Sequence, residues 1–495
     1  MKKRILAALV ASAAVLSLAG CNNGGASSSN NSSSSSNNGG SSSNTSTDTS
    51  TSTGTPDAYA EAQKAGTGVF DTTGEGKVFN IWCWNGDFKN YVENSGYKVP
   101  TGIEIKWHEV PNNDGAYQKQ LDEALKKQST AAADDKVDLF LAEADYILKY
   151  SNAPVTQDVK KLGVEQWATG YDYTYKAATS SDGVLKGVSW QCNPSAFIYR
   201  RSIAKDVLGT DDPDKVQEAL STWEKVDEVA QKAKDKGYVM FASPLETYRT
   251  FANNSTVSYV NDGKFATHDA FNNWLAQAEK YVNNGWSLKY DLWAPEKSAQ
   301  MFEDGKMMCC IGPAWYFNFC MGAAQQGKYE VTVKDENGND VKKVIEGKGT
   351  NGDWAICKGP QAHFWGGTWL MAAEGSDNPK MIADLMNAFT ANEQIMEYIL
   401  KDAKEFPNNK NIVKKYAEDS SYGLEFLGGQ NHIKYLGAMT DDIVWDTKLH
   451  TVYDQLFNET LPNTMLTYLN GTVSKDDAMK SFYNELEDRT VGITH

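Results

Sequence analysis

The sequence predicts an α/β fold in which helices cover a mostly parallel sheet, divided between two lobes or domains. Two observations lead to this prediction. Segments with the alternation of β-strands are separated by segments with the spacing of amphipathic helices, which is typical of βαβ units. Residues 56–495 have a globular composition, and this length exceeds the roughly 250–300 residues that one hydrophobic core usually serves.

The first elements of this region follow the βαβ pattern. Three segments rich in β-branched and aromatic residues predict strands: Val78–Trp84, Ile103–Trp107 and Val137–Leu141. The first of them ends at the polar turn Asn85-Gly86-Asp87. Between the second and third segments, apolar residues recur at four-residue spacing (Tyr117, Leu121 and Leu125) and predict a helix within residues 115–128.

Four later helices are predicted, two of them from start and stop signals. Ser221 and Glu224 match a capping box, and the helix they open runs to Gly237. A short helix begins at Pro295, with Gly305 just past its end. Two further helices are predicted at residues 381–400 and 475–488.

Residues 1–20 have the pattern of a secretory signal. A basic start is followed by an apolar run over residues 5–18, which is shorter than the roughly 20 residues that span a bilayer. Leu18-Ala19-Gly20-Cys21 resembles the lipobox of bacterial lipoproteins, in which Cys21 would be lipidated and become the mature N-terminus. The sequence therefore predicts a chain held by acyl groups on the outer face of the bacterial cytoplasmic membrane. The alternative is an ordinary signal peptide with a chance Cys.

Residues 21–56 are predicted to form a disordered tether behind the lipidated Cys21. Asn, Gly, Ser and Thr make up nearly all of this segment, which cannot bury enough apolar surface to offset the entropy of ordering its backbone. A flexible coil of ~34 residues has an r.m.s. span on the order of 30–35 Å. A glycosylated stalk is the alternative.

Charge and cysteine content narrow the possible partners and cofactors. The net charge of −16 disfavours binding to nucleic acid or anionic lipid, which leaves the lipid anchor as the only membrane contact. Besides Cys21, the chain has six cysteines, and none of them forms a CxxC pair: Cys83, Cys192, Cys309, Cys310, Cys320 and Cys357. They are predicted to be buried thiols, with one disulfide left open. No Cys/His cluster has zinc spacing, so we expect neither a metal nor a cofactor.

Tryptophan usage suggests a carbohydrate site. Several of the 14 Trp stand beside Gly or polar residues, namely Trp84, Trp190, Trp315, Trp365 and Trp369. A pyranose ring has an apolar C–H face, which stacks on an indole, and a rim of hydroxyls, which needs carboxylates and amides as partners. For any one Trp, packing in the core is the more common role, so the argument depends on the set.

At these positions the chain resembles the extracellular solute-binding proteins of family 1, the maltose-binding-protein-like receptors of carbohydrate ABC importers. The resemblance is carried by residues 79–88, 137–146, 187–191 with 199–202, 306–315 and 352–369, in the order of the family. It covers nearly the whole chain after the tether. Gly86 stands where the family often has an acidic residue, which leaves one polar ligand contact open.

The resemblance implies a two-lobed periplasmic-binding-protein-like fold of type II, with each lobe discontinuous in sequence. Lobe one would comprise residues 57–188 plus 367–420, and lobe two residues 190–365 plus 422–495. Ligands of such folds lie in the crevice beyond the carboxyl ends of the strands. The implied function is that of a monomeric, non-enzymatic receptor that closes on a carbohydrate and delivers it to the permease of an ABC importer. The many Trp favour an oligosaccharide.

The resemblance also places candidate ligand-binding residues in this cleft. On lobe one these are Trp84, Asn85 and Asp87 after the first strand, and Glu143 and Asp145 after the third. Trp190 would lie at the first crossing between lobes, and Trp315, Trp365 and Trp369 would face it together with Asp353. Arg249 is a further candidate, with a surface ion pair as the alternative.

Two other classes of protein remain open at this stage. A secreted glycoside hydrolase would also combine Trp with carboxylates, but it needs an acid/base pair held roughly 5–10 Å apart. A tethered adhesin would bind carbohydrate at an exposed face, without closure of two lobes.

Overall fold

The computed structural model describes residues 54–112, 115–335 and 339–495. The strands are β1 (Val78–Cys83), β2 (Glu104–Glu109), β3 (Leu139–Glu143), β4 (Gly187–Val188), β5 (Ala196–Arg200), β6 (Val260–Asn261), β7 (Lys264–Phe265), β8 (Cys309–Gly312), β9 (Lys328–Lys334), β10 (Asp340–Glu346), β11 (Trp354–Cys357) and β12 (Thr368–Ala372). Cys21, the signal sequence and most of the tether lie outside the described residues.

The α-helices are α1 (Pro56–Ala62), α2 (Asp87–Asn94), α3 (Ala116–Lys127), α4 (Ile147–Ser151), α5 (Asp172–Ala177), α6 (Arg201–Leu208), α7 (Pro213–Ala219), α8 (Trp223–Asp235), α9 (Tyr248–Asn253), α10 (Asp269–Asn283), α11 (Pro295–Ala299), α12 (Ala314–Cys320), α13 (Gly322–Gln326), α14 (Pro379–Ala388), α15 (Glu393–Lys401), α16 (Lys410–Ala417), α17 (His432–Thr440), α18 (Leu461–Leu469) and α19 (Lys475–Arg489). A π-helical segment, Leu456–Thr460, leads directly into α18.

A five-stranded sheet in the order β2-β1-β3-β12-β4 forms the first half of the framework. Its strands β1, β2 and β3 pair in parallel, as the βαβ rhythm predicts. Strand β12 returns from far along the chain and pairs antiparallel with β3. Helix α3 packs beneath this sheet through Tyr117, Leu121 and Leu125, and the Tyr117 hydroxyl donates to the Leu141 carbonyl at 2.6 Å. The carboxyl ends of β1 and β3 are thereby fixed side by side.

The second half of the framework is built on the order β11-β5-β8, with antiparallel pairs. Extended segments beside β8 add parallel neighbours that the sequence did not suggest. The Met308 amide donates to the Val239 carbonyl at 2.9 Å, and the Leu288 amide donates to the Phe241 carbonyl at 3.0 Å. Both halves therefore mix parallel and antiparallel strands, and apolar side chains from their helices bury them on both faces.

Three predicted helices differ from the structure in their ends. Helix α8 is capped by Thr222 rather than Ser221, because the Thr222 hydroxyl accepts from the Lys225 amide. The helix that begins at Pro295 is α11, which ends at Ala299, well before Gly305. The chain between these two residues forms turns. Residues 381–400 form two helices, because the Asn392 side chain accepts from the amides of Gln394 and Ile395 and starts α15 anew.

Two chain segments connect the two sheets, one between β4 and β5 and one between β11 and β12. The first is hydrogen-bonded to the start of β12 and to the segment that follows α15. The Ser189 hydroxyl donates to the Thr368 carbonyl at 2.7 Å. The Asn408 amide donates to the Trp190 carbonyl at 2.8 Å, and the Asn408 side chain donates to the Ser189 carbonyl at 2.9 Å. These bonds tie these parts of the chain into one strip that runs along the base of the cleft described below.

The six cysteines of the described residues are free, and five of them are buried. The prediction of buried thiols is confirmed for Cys83, Cys192, Cys309, Cys310 and Cys357, whereas Cys320 is partly exposed. Within residues 54–112, 115–335 and 339–495, no helix is both long enough and apolar enough to cross a bilayer. The division of the chain into lobes at residues 188, 367 and 420 stays a prediction.

Candidate ligand-binding cleft

A cavity of about 680 Å³ lies where the loops after β1 and β3 face the connecting segments, α9 and α12. Its size falls within the range of roughly 300–1,000 Å³ that small-molecule sites occupy. Of the eleven candidate residues from the sequence, these line it: Trp84, Asn85, Asp87, Glu143, Asp145, Trp190, Arg249, Trp315 and Trp365. Residues from far-apart stretches of the chain thus converge on one site.

The turn after β1 presents a carboxylate and an amide to the cavity. The Asn85 carboxamide donates to the Asp87 carboxylate at 2.7 Å and accepts from the Asp87 amide at 3.2 Å. Asp87 opens α2, where a negative charge is favourable near the helix N-terminus. Trp84 stands beside this turn and packs edge-on against Tyr117, with ring centroids 5.5 Å apart. These contacts fix the turn against the sheet.

Trp190 forms part of the base of the cleft. Its indole stacks on Phe88 with centroids 4.8 Å apart and an interplanar angle of 22°, and only 3% of the residue is exposed. The indole Nε1 has no hydrogen-bond partner among the described residues. Because Phe88 covers one face of the ring and the residue is buried, Trp190 offers the cavity little stacking surface.

An aromatic cluster forms the opposite wall. It consists of Trp293, Trp315, Phe319 and Trp365, and neighbouring ring centroids are 5.3–6.4 Å apart. The Trp315 Nε1 donates to the Trp365 carbonyl at 3.2 Å, which holds the two indoles together. Trp293 and Phe319 are 55% and 72% exposed, although aromatic side chains of this size usually lie inside. This wall therefore presents bare aromatic surface.

Two glycines after Trp365 allow the chain to turn between the aromatic wall and β12. Gly366 has a φ of +68° and Gly367 a φ of +132°, both in the region that favours glycine. A Cβ on Gly367 would stand 2.9 Å from the Trp369 ring and 3.0 Å from the Asn193 amide. The turn thus requires glycine for its conformation and, at Gly367, for space.

A buried ion pair crosses the cavity wall. The Arg249 guanidinium donates to both oxygens of the Asp145 carboxylate, at 2.6 and 2.5 Å. The Asn458 amide, on the π-helical segment, donates to the same carboxylate at 2.8 Å. Asp145 follows β3, whereas Arg249 lies on α9. The sequence left the role of Arg249 open between ligand contact and surface ion pair, and the structure places it in an ion pair that is buried.

Two more carboxyl groups lie beside this ion pair, and both have raised pKa values. The Glu143 carboxylate accepts from the Asp145 amide at 2.7 Å. Burial raises its pKa well above the usual range, and the Asp145 charge adds to the effect. Burial and Asp145 likewise raise the pKa of Glu459 to about 7. The loss of hydration on burial disfavours the ionised form of both groups.

Glu405 is a further buried carboxyl at the opposite end of the cavity, and it is 5% exposed. Burial raises its pKa to about 8, and the nearby charge of Asp87 contributes. The Tyr91 hydroxyl donates to Glu405 at 3.5 Å. The Gln191 carboxamide, in the orientation that satisfies both of its polar atoms, donates to Glu405 at 3.2 Å and accepts from the Thr368 amide at 3.1 Å.

Trp369 and Asp353 do not reach the cavity, which corrects two of the sequence-based candidates. Along β12 the side chains alternate, so Thr368 faces the cleft and Trp369 faces the core. The Trp369 indole is fully buried, and its Nε1 donates to the Thr174 carbonyl at 2.7 Å. Asp353 instead accepts from the Arg200 guanidinium at 3.0 Å, in a separate ion pair.

Sequence reasoning missed four residues that define the site: Trp293, Phe319, Glu405 and Glu459. Trp293 immediately precedes the segment Ala294-Pro295 that starts α11, and a Trp beside such a helix start could have been added to the set. Glu405 and Glu459 stand in charged, helix-rich stretches that resemble many others in the chain. Among the described residues, no cluster of His, Cys, Asp or Glu could hold a metal ion.

Comparison with known proteins identifies the family to which this fold belongs. The family model of the bacterial extracellular solute-binding proteins matches residues 96–422. A crystal structure of an extracellular solute-binding protein of family 1 is 19% identical, with a TM-score of 0.66 over 83% of this chain and 99% of that one. No curated protein sequence matches the chain.

Two further solved structures have the same fold at low identity. The sugar-binding protein MalE from Xanthomonas citri is 13% identical, with a TM-score of 0.60 over 83% of this chain and 96% of that one. The galacto-N-biose-/lacto-N-biose I-binding protein from Bifidobacterium longum is also 13% identical, with a TM-score of 0.59 over 84% and 98%. The expected two-lobed fold is thus confirmed. The chain belongs to the bacterial extracellular solute-binding proteins, which bind a solute outside the cytoplasm and do not catalyse a reaction.

Proposed function

We propose that this protein is the carbohydrate receptor of an ABC importer, and that it closes on an oligosaccharide and delivers it to the permease. The observation that carries the proposal is the pairing of bare aromatic rings with buried carboxyl and amide groups around one cavity. These are the two kinds of partner that the apolar face and the hydroxyl rim of a sugar require.

The aromatic wall supports the proposal through its exposure. Trp293 and Phe319 leave most of their surface uncovered, and exposed apolar patches of this kind mark binding sites. The C–H face of a pyranose would cover such a ring without requiring a charge. Trp84 stands on the other side of the cavity. Aromatic side chains on both sides suit a ligand of more than one ring.

The polar groups support the proposal because they include both donors and acceptors. Asn85, Asn318, Asn458 and Asn463 carry amides, and the carboxyl groups with raised pKa values can donate when protonated and accept when ionised. Sugar hydroxyls do both, so this mixture satisfies them better than a wall of one kind. Solved proteins of the same fold bind sugars: one from B. animalis subsp. lactis is in complex with β-1,6-galactobiose.

The same proposal includes the attachment and organisation expected from the sequence. Residues 1–20 would direct export, Cys21 would carry the lipid, and residues 21–56 would hold the monomeric binding domain clear of the membrane. The lobes of residues 57–188 plus 367–420 and 190–365 plus 422–495 would then rotate about the strip formed by Ser189, Thr368 and Asn408. A ligand that touches both walls binds the closed state better and shifts the population towards it.

Calorimetric titration of the full-length protein in mild detergent, guided by a glycan array, tests the proposal. We expect one-to-one binding of an oligosaccharide, which is recovered chemically unchanged after long incubation. Release of reducing sugar would instead indicate a hydrolase. Binding that survives combined Trp293→Ala and Trp315→Ala substitution in a folded protein would place the sugar at another surface, as in an adhesin.

A further inference from the structure

We infer that the ligand of the cleft carries a protonated amine, and that Asp87 and Glu405 bind this amine. The ligand class would then be an amino sugar that is not N-acetylated. The inference rests on the proposed carbohydrate function and specifies its substrate. It starts from the balance of charge around the cavity.

The cleft is lined by more acidic than basic side chains. Its carboxyl groups are those of Asp87, Glu143, Asp145, Glu405 and Glu459, whereas its only basic side chain among the described residues is Arg249. Both amino groups of that guanidinium are engaged by Asp145. The protein therefore supplies no free cation to this cavity, and a ligand with a positive charge would restore the balance.

Asp87 and Glu405 are the pair in greatest need of such a partner. Within the described residues, no basic side-chain nitrogen lies within 4.0 Å of either carboxylate. The groups that face Glu405 are the Tyr91 hydroxyl, the Gln191 carboxamide and the Asp87 carboxylate. Burial raises the pKa of Asp87 as well, and the charge of Glu109 contributes to the increase. All of these groups are neutral or acidic, so no basic group of the described residues offsets the negative charge that Asp87 and Glu405 carry when they are ionised.

Trp190 provides an independent sign of a ligand at this end of the cavity. Trp190 lines the cavity, and its buried indole N–H has no acceptor among the described residues. A buried donor without a partner is unfavourable, and an acceptor oxygen on the ligand would satisfy it. A sugar that bears an amine beside a hydroxyl offers the cation for the carboxylates and the oxygen for Trp190 within one ring.

The neighbouring rings favour the same charge. Trp84 and Tyr91 also line the cavity, and the faces of such rings attract an ammonium group. An N-acetylated sugar has lost this charge, and an acidic sugar would be repelled by the carboxylates. At one position of the sugar ring, we therefore expect an amine to bind most tightly, a hydroxyl or an acetamide less tightly, and a carboxylate least tightly.

A matched series of sugars tests the inference on the full-length protein. The probes are glucosamine, glucose, N-acetylglucosamine and glucuronate, their galactose counterparts, and the β-1,4-linked dimers of glucosamine, glucose and N-acetylglucosamine. We expect at least one amino sugar to bind at least tenfold tighter than its hydroxyl counterpart at pH 7, where its amine is mostly protonated, and the acidic sugars not to bind. Putrescine, an amine without a ring, should bind far more weakly than the amino sugar.

Variants assign the preference to residues. Asp87→Asn and Glu405→Gln should each lower the ratio of amine-sugar affinity to hydroxyl-sugar affinity to about one. Glu109→Gln changes the charge by the same amount beside Asp87 but outside the cavity lining, so it should keep the preference. Thermal unfolding of each variant verifies that it is folded.

The outcomes separate the two proposals. Equal binding of amine and hydroxyl sugars overturns the inference and leaves the carbohydrate receptor intact. Failure of all sugars to bind, on the probe series and on a glycan array, overturns both. Tight binding of putrescine overturns the assignment to a sugar and leaves an amine receptor. Retention of the preference in both cleft variants places the amine elsewhere and overturns the assignment to Asp87 and Glu405.

Discussion

Arg249 and Asp145 form a two-pronged, buried ion pair between α9 and the loop after β3, with N···O distances of 2.6 and 2.5 Å. We expect Arg249→Met to destabilise the protein by about 3–5 kcal/mol, because removal of one partner leaves the other charge buried and uncompensated. Urea unfolding of the full-length protein measures the change. The double variant Arg249→Met with Asp145→Leu should recover most of the loss. Equal loss in the single and double variants would contradict an uncompensated charge as the cause.

The exposed and the buried aromatic residues of the cleft should respond differently to truncation. We expect Trp293→Ala and Phe319→Ala to leave the free energy of unfolding within about 0.5 kcal/mol of the parent value, since surface substitutions rarely do more. Each should weaken ligand affinity by about tenfold or more, which corresponds to roughly 1.4 kcal/mol. Calorimetry and urea unfolding on the same samples provide both values.

Trp190→Ala is the contrasting variant. Because the indole is buried against Phe88, its truncation should cost about 3–5 kcal/mol of stability as well as affinity. A Trp190 variant as stable as the Trp293 variant would mean that the base of the cleft is not packed as described. The sequence alone gave no way to tell these two kinds of Trp apart.

The contrast between predicted and observed site residues has a simple physical origin. Local patterns identify strands and the turns that follow them, so Trp84, Asp87, Glu143 and Asp145 could be predicted as residues at the carboxyl ends of β1 and β3. Which face a side chain takes depends on register. The antiparallel pairing of β12 with β3 opposes Thr368 to Glu143, and this register sends Trp369 into the core.

Long-range packing determines the positions of the site residues that the local sequence does not predict. Glu405 reaches the cleft because the segment after α15 is hydrogen-bonded to the strip at Trp190 and Cys192, a contact between positions more than 200 residues apart. Glu459 reaches it through the π-helical segment before α18, and such segments are frequent at functional sites. Neither contact leaves a signal in the local sequence.

The stability of the ligand-free protein should fall as pH rises. Folding raises the pKa of Glu405 from 4.5 to about 8, so the folded state holds a proton that the unfolded state releases between these values. The free energy of unfolding should therefore decrease by up to about 1.4 kcal/mol per pH unit in that window. Glu459, with its pKa raised to about 7, acts in the same direction.

Urea unfolding at pH 5, 6, 7 and 8 measures this dependence. The Glu405→Gln variant cannot ionise at that position and should have a shallower decline than the parent, while Glu109→Gln should follow the parent curve. A parent protein whose stability rises steadily from pH 5 to pH 8 would contradict the raised pKa.

The anchor predicted at Cys21 can be tested separately from the cleft. We expect Cys21→Ser to leave the fold and ligand affinity unchanged but to release the protein from the membrane fraction, because no helix of the described residues can span a bilayer and stable attachment needs acyl chains. Fractionation of cells with detection of the protein in membrane and medium gives the answer. Equal retention of parent and variant would show that attachment does not depend on Cys21.

Closure of the lobes is the remaining step, and the Arg249–Asp145 ion pair makes a specific prediction about it. This pair joins the loop after β3 to α9, so we expect it to favour the arrangement in which these two elements lie close together. A ligand needs to supply only the remaining difference in free energy between the open and closed states. A shift of the closed-to-open population from 1:99 to 99:1 requires roughly 5.5 kcal/mol of differential affinity.

We expect small-angle scattering of the full-length protein to show compaction when sugar is added, since the ligand completes the contact between the two walls of the cleft. Without sugar, Arg249→Met should be more extended than the parent, because no other ion pair among the described residues joins these two elements. Its affinity should be lower by the same factor as its closed population. If the variant and the parent scatter identically without ligand, the ion pair does not act on closure and contributes only to the stability of the fold.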